Sequence, residues 1–152
     1  MRRLAAAALA LTLAAPALAQ DRVVPDATDP VTLRITEMKQ VGAAIGTLAA
    51  MAKQERPFDA DLAHMSLRVM LSAASGYGAL FPEGSETGHD TRAAPAIWSD
   101  RAGFDKALAE FLAAADAAVQ APPTELAALG PTLQSLGRTC QSCHEGYRVK
   151  KD

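Results

Sequence analysis

The sequence predicts an all-α fold, an antiparallel four-helix bundle with up-down-up-down topology. Three observations predict it. Apolar residues recur at three- and four-residue spacing through four segments, prolines punctuate the breaks between them, and no stretch alternates convincingly as a half-buried strand would. Of the 152 residues 49% are hydrophobic, with alanine and leucine prominent, a composition suited to helices packed on one another.

Asp29-Pro30 reads as an N-cap followed by proline at the first helical position. From there Val31, Ile35, Met38, Gly42, Ile45, Ala49 and Ala52 define one face of a first helix over residues 30–53. Pro57 closes it, and Asp59 or Ala60 opens the second, whose face is Leu62, Met65, Val69, Ala73 and Tyr77 and which ends before Pro82. Residues 82–96 form the one long loop. Ser99 is the expected cap of the third helix, with Ile97 and Trp98 able to belong to an earlier start; its inward face is Phe104, Leu108, Phe111, Ala115 and Ala118. Pro122-Pro123 ends it. The fourth helix carries Leu126, Leu129, Leu133, Leu136, Cys140, Cys143 and Tyr147 in register. Gly130-Pro131 is expected to kink or split that helix, leaving residues 124–130 as a separable first turn.

The N-terminus has the form of a cleaved secretory signal: basic Met1-Arg2-Arg3, an apolar run from Leu4 to Leu13, and a small-x-small Ala17-Leu18-Ala19 site. The apolar run is too short for a membrane anchor and Pro16 interrupts it. Cleavage after Ala19 removes 19 of the 152 residues and leaves 133, one domain over residues 20–152, placed in the periplasm. Losing Arg2 and Arg3 takes the 15 basic residues to 13 against 17 acidic, a formal charge of −4. That balance argues against nucleic acid and against an anionic membrane surface. No stable membrane insertion is expected after cleavage.

The chemistry concentrates in Cys140-Gln141-Ser142-Cys143-His144, a CxxCH sequence that matches the c-type haem attachment motif. Two thiols can form thioethers with haem vinyl groups while the adjoining imidazole is held under the iron. In a helix Cys140 and Cys143 share a face, and Cys140 and His144 lie one turn apart. A thioredoxin-type CxxC would follow a strand, and none is expected here. Structural zinc needs four ligands, and only His64 and His89 remain as further histidines. A plain disulfide suits an oxidising compartment but explains neither His144 nor the bundle.

The run Cys140-Gln-Ser-Cys143-His144-Glu-Gly-Tyr147-Arg148-Val-Lys150 at the C-terminus resembles the class II cytochromes c, the cytochrome c′ family. Further resemblance lies in Met38-Lys39-Gln40-Val41-Gly42, Ala52-Lys53-Gln54-Glu55-Arg56-Pro57-Phe58-Asp59, Ala79-Leu80-Phe81-Pro82 and Ile97-Trp98-Ser99-Asp100-Arg101-Ala102-Gly103-Phe104-Asp105. It covers essentially the whole mature chain and leans toward the low-spin cytochrome c-556-like branch. The resemblance implies one covalent haem c on the last helix of a four-helix bundle, with His144 as proximal iron ligand and Met38 facing the other side of the haem.

Two functions follow from what Met38 does. As a second axial ligand it makes the iron six-coordinate, favours ferrous iron and raises the potential, as an electron carrier requires. As a mere lining residue it leaves a five-coordinate, high-spin cytochrome c′ able to bind NO or CO. Electron transfer is the preferred reading, with periplasmic redox proteins as partners and a monomer or homodimer as the unit. An enzyme is disfavoured because peroxidase chemistry needs a distal acid/base group, and the first-helix face offers none. His64 and His89 read as surface or loop histidines. Trp98 and Phe104 are expected to pack the bundle near the haem, and Tyr147 to be a core residue whose hydroxyl reaches the surface. Arg138, Arg148, Lys150 and Lys151 cluster around the attachment helix, where they complement its macrodipole, steer an acidic redox partner or contact a haem propionate.

Overall fold

The computed structural model describes residues 28–150. The expected signal peptide, residues 1–19, lies outside the described residues, as does Lys151. Five α-helices follow in order: α1 (Pro30–Ala52), α2 (Ala60–Ala74), a four-residue α3 (Ala96–Ser99), α4 (Arg101–Gln120) and α5 (Leu126–Tyr147). A 3₁₀ turn, Tyr77–Leu80, follows α2. The four long helices pack in a ring: α1 against α2 and α5, and α4 against α2 and α5. Short links between α1 and α2 and between α4 and α5 force antiparallel neighbours, so the expected bundle is the observed one. No helix among the described residues is long and apolar enough to cross a membrane.

Helix starts are set by side-chain caps. The Asp29 carboxylate accepts from the Thr32 amide at 2.6 Å, with Pro30 where its missing N–H costs nothing. Asp59 accepts from Leu62 N at 2.9 Å. The cap of α4 is Asp100, which accepts from Gly103 N at 3.2 Å, rather than the expected Ser99. Ser99 instead ends α3, the separate earlier turn that holds Ile97 and Trp98. Gly76 ends α2 sooner than expected: at φ +82° it takes the left-handed conformation that only glycine adopts freely, and Tyr77 passes into the 3₁₀ turn.

Two further expectations are corrected. Helix α5 runs continuously from Leu126 through Pro131. Pro131 lies just beyond the first turn, so its missing amide removes a single bond. Leu129, fully buried, holds that turn on the core, and Thr132 Oγ1 donates to Ala128 O at 3.0 Å. The inward faces of α1 and α2 are also rotated from the expected ones. In α1 the buried residues are Val31, Arg34, Val41, Ala44, Leu48 and Met51, while Gly42 is exposed. In α2 Ala63, Ser66, Leu67, Met70, Ala73 and Ala74 are buried, and Met65 and Val69 are 54% and 39% exposed. Both helices carry two apolar stripes side by side, and the choice between stripes belongs to the neighbouring helices. The faces of α4 and α5, each with one dominant stripe, are as expected: Phe104, Phe111, Ala115, Leu129 and Leu136 are buried.

The apolar interior divides in two. A large cluster runs from Val41 to Met51 of α1 through Leu67 and Met70 to Phe111, Ala115, Leu129 and Leu136. A smaller one, Phe81, Ile97 and Phe104 with Tyr77, Trp98 and Tyr147 against it, sits where α1 begins and α5 ends. There Tyr147 OH donates to Asp100 Oδ2 at 2.8 Å, tying the end of α5 to the start of α4.

Leu129→Ala should cost about 2–5 kcal/mol in chemical denaturation, because Leu129 has no exposed surface to let the site collapse. Two glycine replacements should have opposite signs. A Cβ at Gly103 would collide with the Asp100 carboxylate and the Tyr147 hydroxyl, so Gly103→Ala should destabilise by about 1–3 kcal/mol. A Cβ at Gly46 in α1 meets nothing, so Gly46→Ala should stabilise by about 0.5–1 kcal/mol in the same measurement.

Candidate functional site

Between the two clusters lies a cavity of about 490 Å³. Its walls come from the first turns of α1 (Arg34, Ile35, Met38, Lys39), the 3₁₀ turn and its end (Tyr77, Phe81), the loop (residues 89–93), Ile97 and Phe104, and the end of α5 (Cys143, His144, Tyr147, Arg148). The volume falls within the range of cofactor pockets, roughly 300–1,000 Å³. Antiparallel packing of α1 against α5 creates this meeting place, since the start of one helix lies beside the end of the other.

Helix α5 presents the CxxCH residues as the spacing predicts. Cys140 and Cys143 are half-buried, unbridged thiols one turn apart. Cys143 and His144 face the cavity, while Cys140 packs against the large cluster. Burial pushes the Cys140 thiol up, and burial, then the proximity of Cys140, does the same to Cys143. A redox-active CxxC relies on the opposite shift. Burial first, then the charges of Arg148 and Arg92, lower the pKa of His144. The imidazole is thereby kept neutral, with a nitrogen lone pair for a metal. Among the described residues no three His, Cys, Asp or Glu side chains converge as the ligands of a structural metal would.

Met38 enters from α1, half-buried, into the same cavity. One turn before it lies Arg34, a residue not among the expected inward positions of α1. Only 2% of it is exposed. Its Nη1 donates to Leu80 O at 3.2 Å and Ser85 Oγ at 3.1 Å, and its Nη2 to Ser85 O at 2.6 Å and Thr91 Oγ1 at 2.9 Å. The guanidinium lies over the rings of Phe81 and Trp98, 4.8 and 5.6 Å from their centroids. Burial pulls its pKa down, yet an arginine stays charged at neutral pH. The Nε is buried without a partner. Four positions before Met38 and three after Val31, Arg34 is a charge at an inward register position; that was its one signal in the sequence.

Other expected residues fall into place around this centre. Phe104 lines the cavity and makes edge-to-face contacts with Phe81 and Tyr147. Trp98 packs on Phe81 and donates from Nε1 to Pro82 O at 3.1 Å, outside the cavity wall. Burial pushes the Tyr77 phenol up to about 12, so it stays neutral in the cavity wall. His64 is half-buried away from the cavity. His89 is the exposed loop residue expected of it, but its loop brings it to the cavity rim, 3.6 Å from Asp29. Arg138 is exposed and not part of the wall, so the expected basic cluster on α5 divides: Arg148 faces the cavity and Arg138 does not.

These walls fit a haem. Ile35, Met38, Phe81, Ile97 and Phe104 offer an apolar slot, two thiols stand one turn apart, and a neutral imidazole follows the second. Arg34, Lys39, Arg92 and Arg148 supply cations for the porphyrin's two carboxylates, with the Arg34 Nε still lacking a partner.

Residues 29–148 match the family described as cytochrome c′. A cytochrome c-556 of Agrobacterium fabrum is 40% identical over 114 residues, which cover 75% of this chain and 77% of that protein. The solved cytochrome c′ from Rhodopseudomonas palustris superposes with a TM-score of 0.77 at 38% identity, covering 82% of this chain and 99% of that one. A structure of oxidised cytochrome c556 from R. palustris superposes with a TM-score of 0.73 at 30% identity, covering 82% and 98%. With the bundle, the paired thiols and the haem-sized apolar cavity already in view, these likenesses identify the chain as a member of the cytochrome c′ family, carrying covalently attached haem c.

Proposed function

We propose that the protein is a periplasmic c-type cytochrome that carries single electrons to and from partner proteins. Cys140 and Cys143 hold the haem through thioethers, His144 ligates the iron from α5, and Met38 ligates it from α1. The observation that carries this reading is the placement of Met38 and His144 in the walls of one cavity, on opposed helices. Haem iron supplies the one-electron couple between its ferric and ferrous states. The chain's own residues set that couple: a thioether sulfur favours the ferrous form, and the buried Arg34 charge one turn away opposes any added positive charge at the iron.

The same walls support a carrier rather than an enzyme. Arg34 has both terminal nitrogens committed to the loop, and His89 leans on Asp29 at the N-terminus of α1, nine residues before Met38. Neither stands ready to move a proton at a ligand on the iron. Met38 packs on one side against the large cluster and on the other faces the cavity. The signal-like pattern of residues 1–19 supports a periplasmic location.

Absorption spectra of the oxidised and reduced protein, with and without CO, separate the carrier from a five-coordinate NO or CO binder. The carrier should be low-spin with a methionine-to-iron charge-transfer band and should ignore CO. High-spin bands that move with CO would establish the gas binder. Met38→Ala should convert the spectrum to high-spin, open the iron to CO and lower the reduction potential; an unchanged low-spin spectrum would remove Met38 as ligand.

A further inference from the structure

The charge around the cavity is opposite in sign to the charge of the chain. The sequence has a formal net charge of −2, yet the fully charged side chains in the cavity wall are Arg34, Lys39, Arg92 and Arg148 against the single acid Asp90. Of these cations only Arg34 is buried; Lys39, Arg92 and Arg148 are exposed. Lys150, also exposed, continues the strip beyond Arg148. None of the four exposed cations has a carboxylate partner among the salt bridges of the described residues.

Backbone pairing holds two of them together. Ala93 and Arg148 form an antiparallel bridge, in which Ala94 N donates to Tyr147 O at 3.1 Å and Val149 N to Arg92 O at 2.9 Å. The Arg92 Nε then donates to Val149 O at 3.1 Å. The loop and the end of α5 therefore bring Arg92 and Arg148 to one edge of the cavity, close enough that both charges act on His144. Holding like charges side by side costs free energy unless an anion answers them. The two porphyrin carboxylates and Asp90 carry three negative charges against the four cavity cations, and Lys150 adds a further cation outside the cavity.

We infer that the cavity mouth, with Arg92, Arg148, Lys39 and Lys150, is the docking face for an acidic surface patch on the partner redox protein. This names the partner's chemistry for the carrier proposed above and rests on that reading. Local charge at the mouth, and not net charge, then governs encounter, because an oxidant or partner responds to the field where the electron leaves. The face also lies at the edge of the haem cavity, where the electron's path to a docked partner is short.

Stopped-flow oxidation of the ferrous holoprotein reads this directly. The probes are hexacyanoferrate(III), an anion, and tris(phenanthroline)cobalt(III), a cation, across a range of ionic strength. The anion's rate should fall roughly tenfold from low to high salt despite the net negative charge of the protein, and polyglutamate should compete with it where polylysine does not. Lys150→Glu should weaken the salt slope with the absorption spectrum unchanged, and Arg92→Gln should weaken it further. A rate with the anion that rises with salt would overturn the inference, since net charge would then control encounter. So would an Arg92→Gln protein whose potential shifts while its salt slope stays put, because that arginine would serve the haem carboxylates alone. Failure of the carrier reading shows separately, as a CO-responsive spectrum, and leaves these outer-sphere rates measurable.

Discussion

One buried guanidinium closes the open end of the bundle. Arg34 projects from the second turn of α1 and reaches across to the segment that joins α2 to α3, donating to Leu80, Ser85 and Thr91 while covering Phe81 and Trp98. A charge with almost no exposure is costly unless hydrogen bonds replace its water, and here the loop carbonyls and hydroxyls do so. The dependence runs both ways. Without Arg34 the loop keeps only the exposed His89–Asp29 pair at the start of α1, and without the loop the charge loses its hydrogen-bond partners.

The bundle separates stability from function along its length. At the end where α1 meets α2, leucine, methionine, alanine and phenylalanine side chains interlock with no exposed surface on Leu48, Met51, Leu67, Met70 and Leu129. Burial of each large side chain is worth about 1.5–3 kcal/mol. At the other end the helices are held apart around a cavity, and aromatic edge-to-face contacts and the Tyr147–Asp100 hydrogen bond keep that end in register. The large apolar cluster lies away from the cavity, which leaves that other end open for a cofactor.

The loop between α2 and α4 links this scaffold to the haem cavity and its rim. It is stitched to α1 by Arg34 and to the end of α5 by backbone pairing at Ala93 and Arg148. One irregular segment thus touches the helix that carries Met38 and the helix that carries His144. It also sets the charge of the rim through Arg92. A single connection therefore relates cofactor environment and surface electrostatics, although it contributes little to the main core.

Read alone, the sequence determined the chemistry and the architecture. CxxCH spacing depends only on local helical geometry, so Cys140, Cys143 and His144 were legible together, and proline breaks with aspartate caps marked four long helices. Met38 was legible as a position by family likeness, and the fold brings it into the cavity that holds His144. Tertiary structure decided what periodicity leaves degenerate. On α1 and α2, where two apolar stripes lie side by side, only neighbouring helices choose which one is buried; Met65 and Val69 turned outward and Arg34 inward. Pro131 stayed within α5 because Leu129 anchors the turn before it. The rim of the cavity was the least legible part. Arg92 and Arg148 are far apart in sequence, and nothing local announces a backbone pairing that forms only when a loop closes over the end of a distant helix.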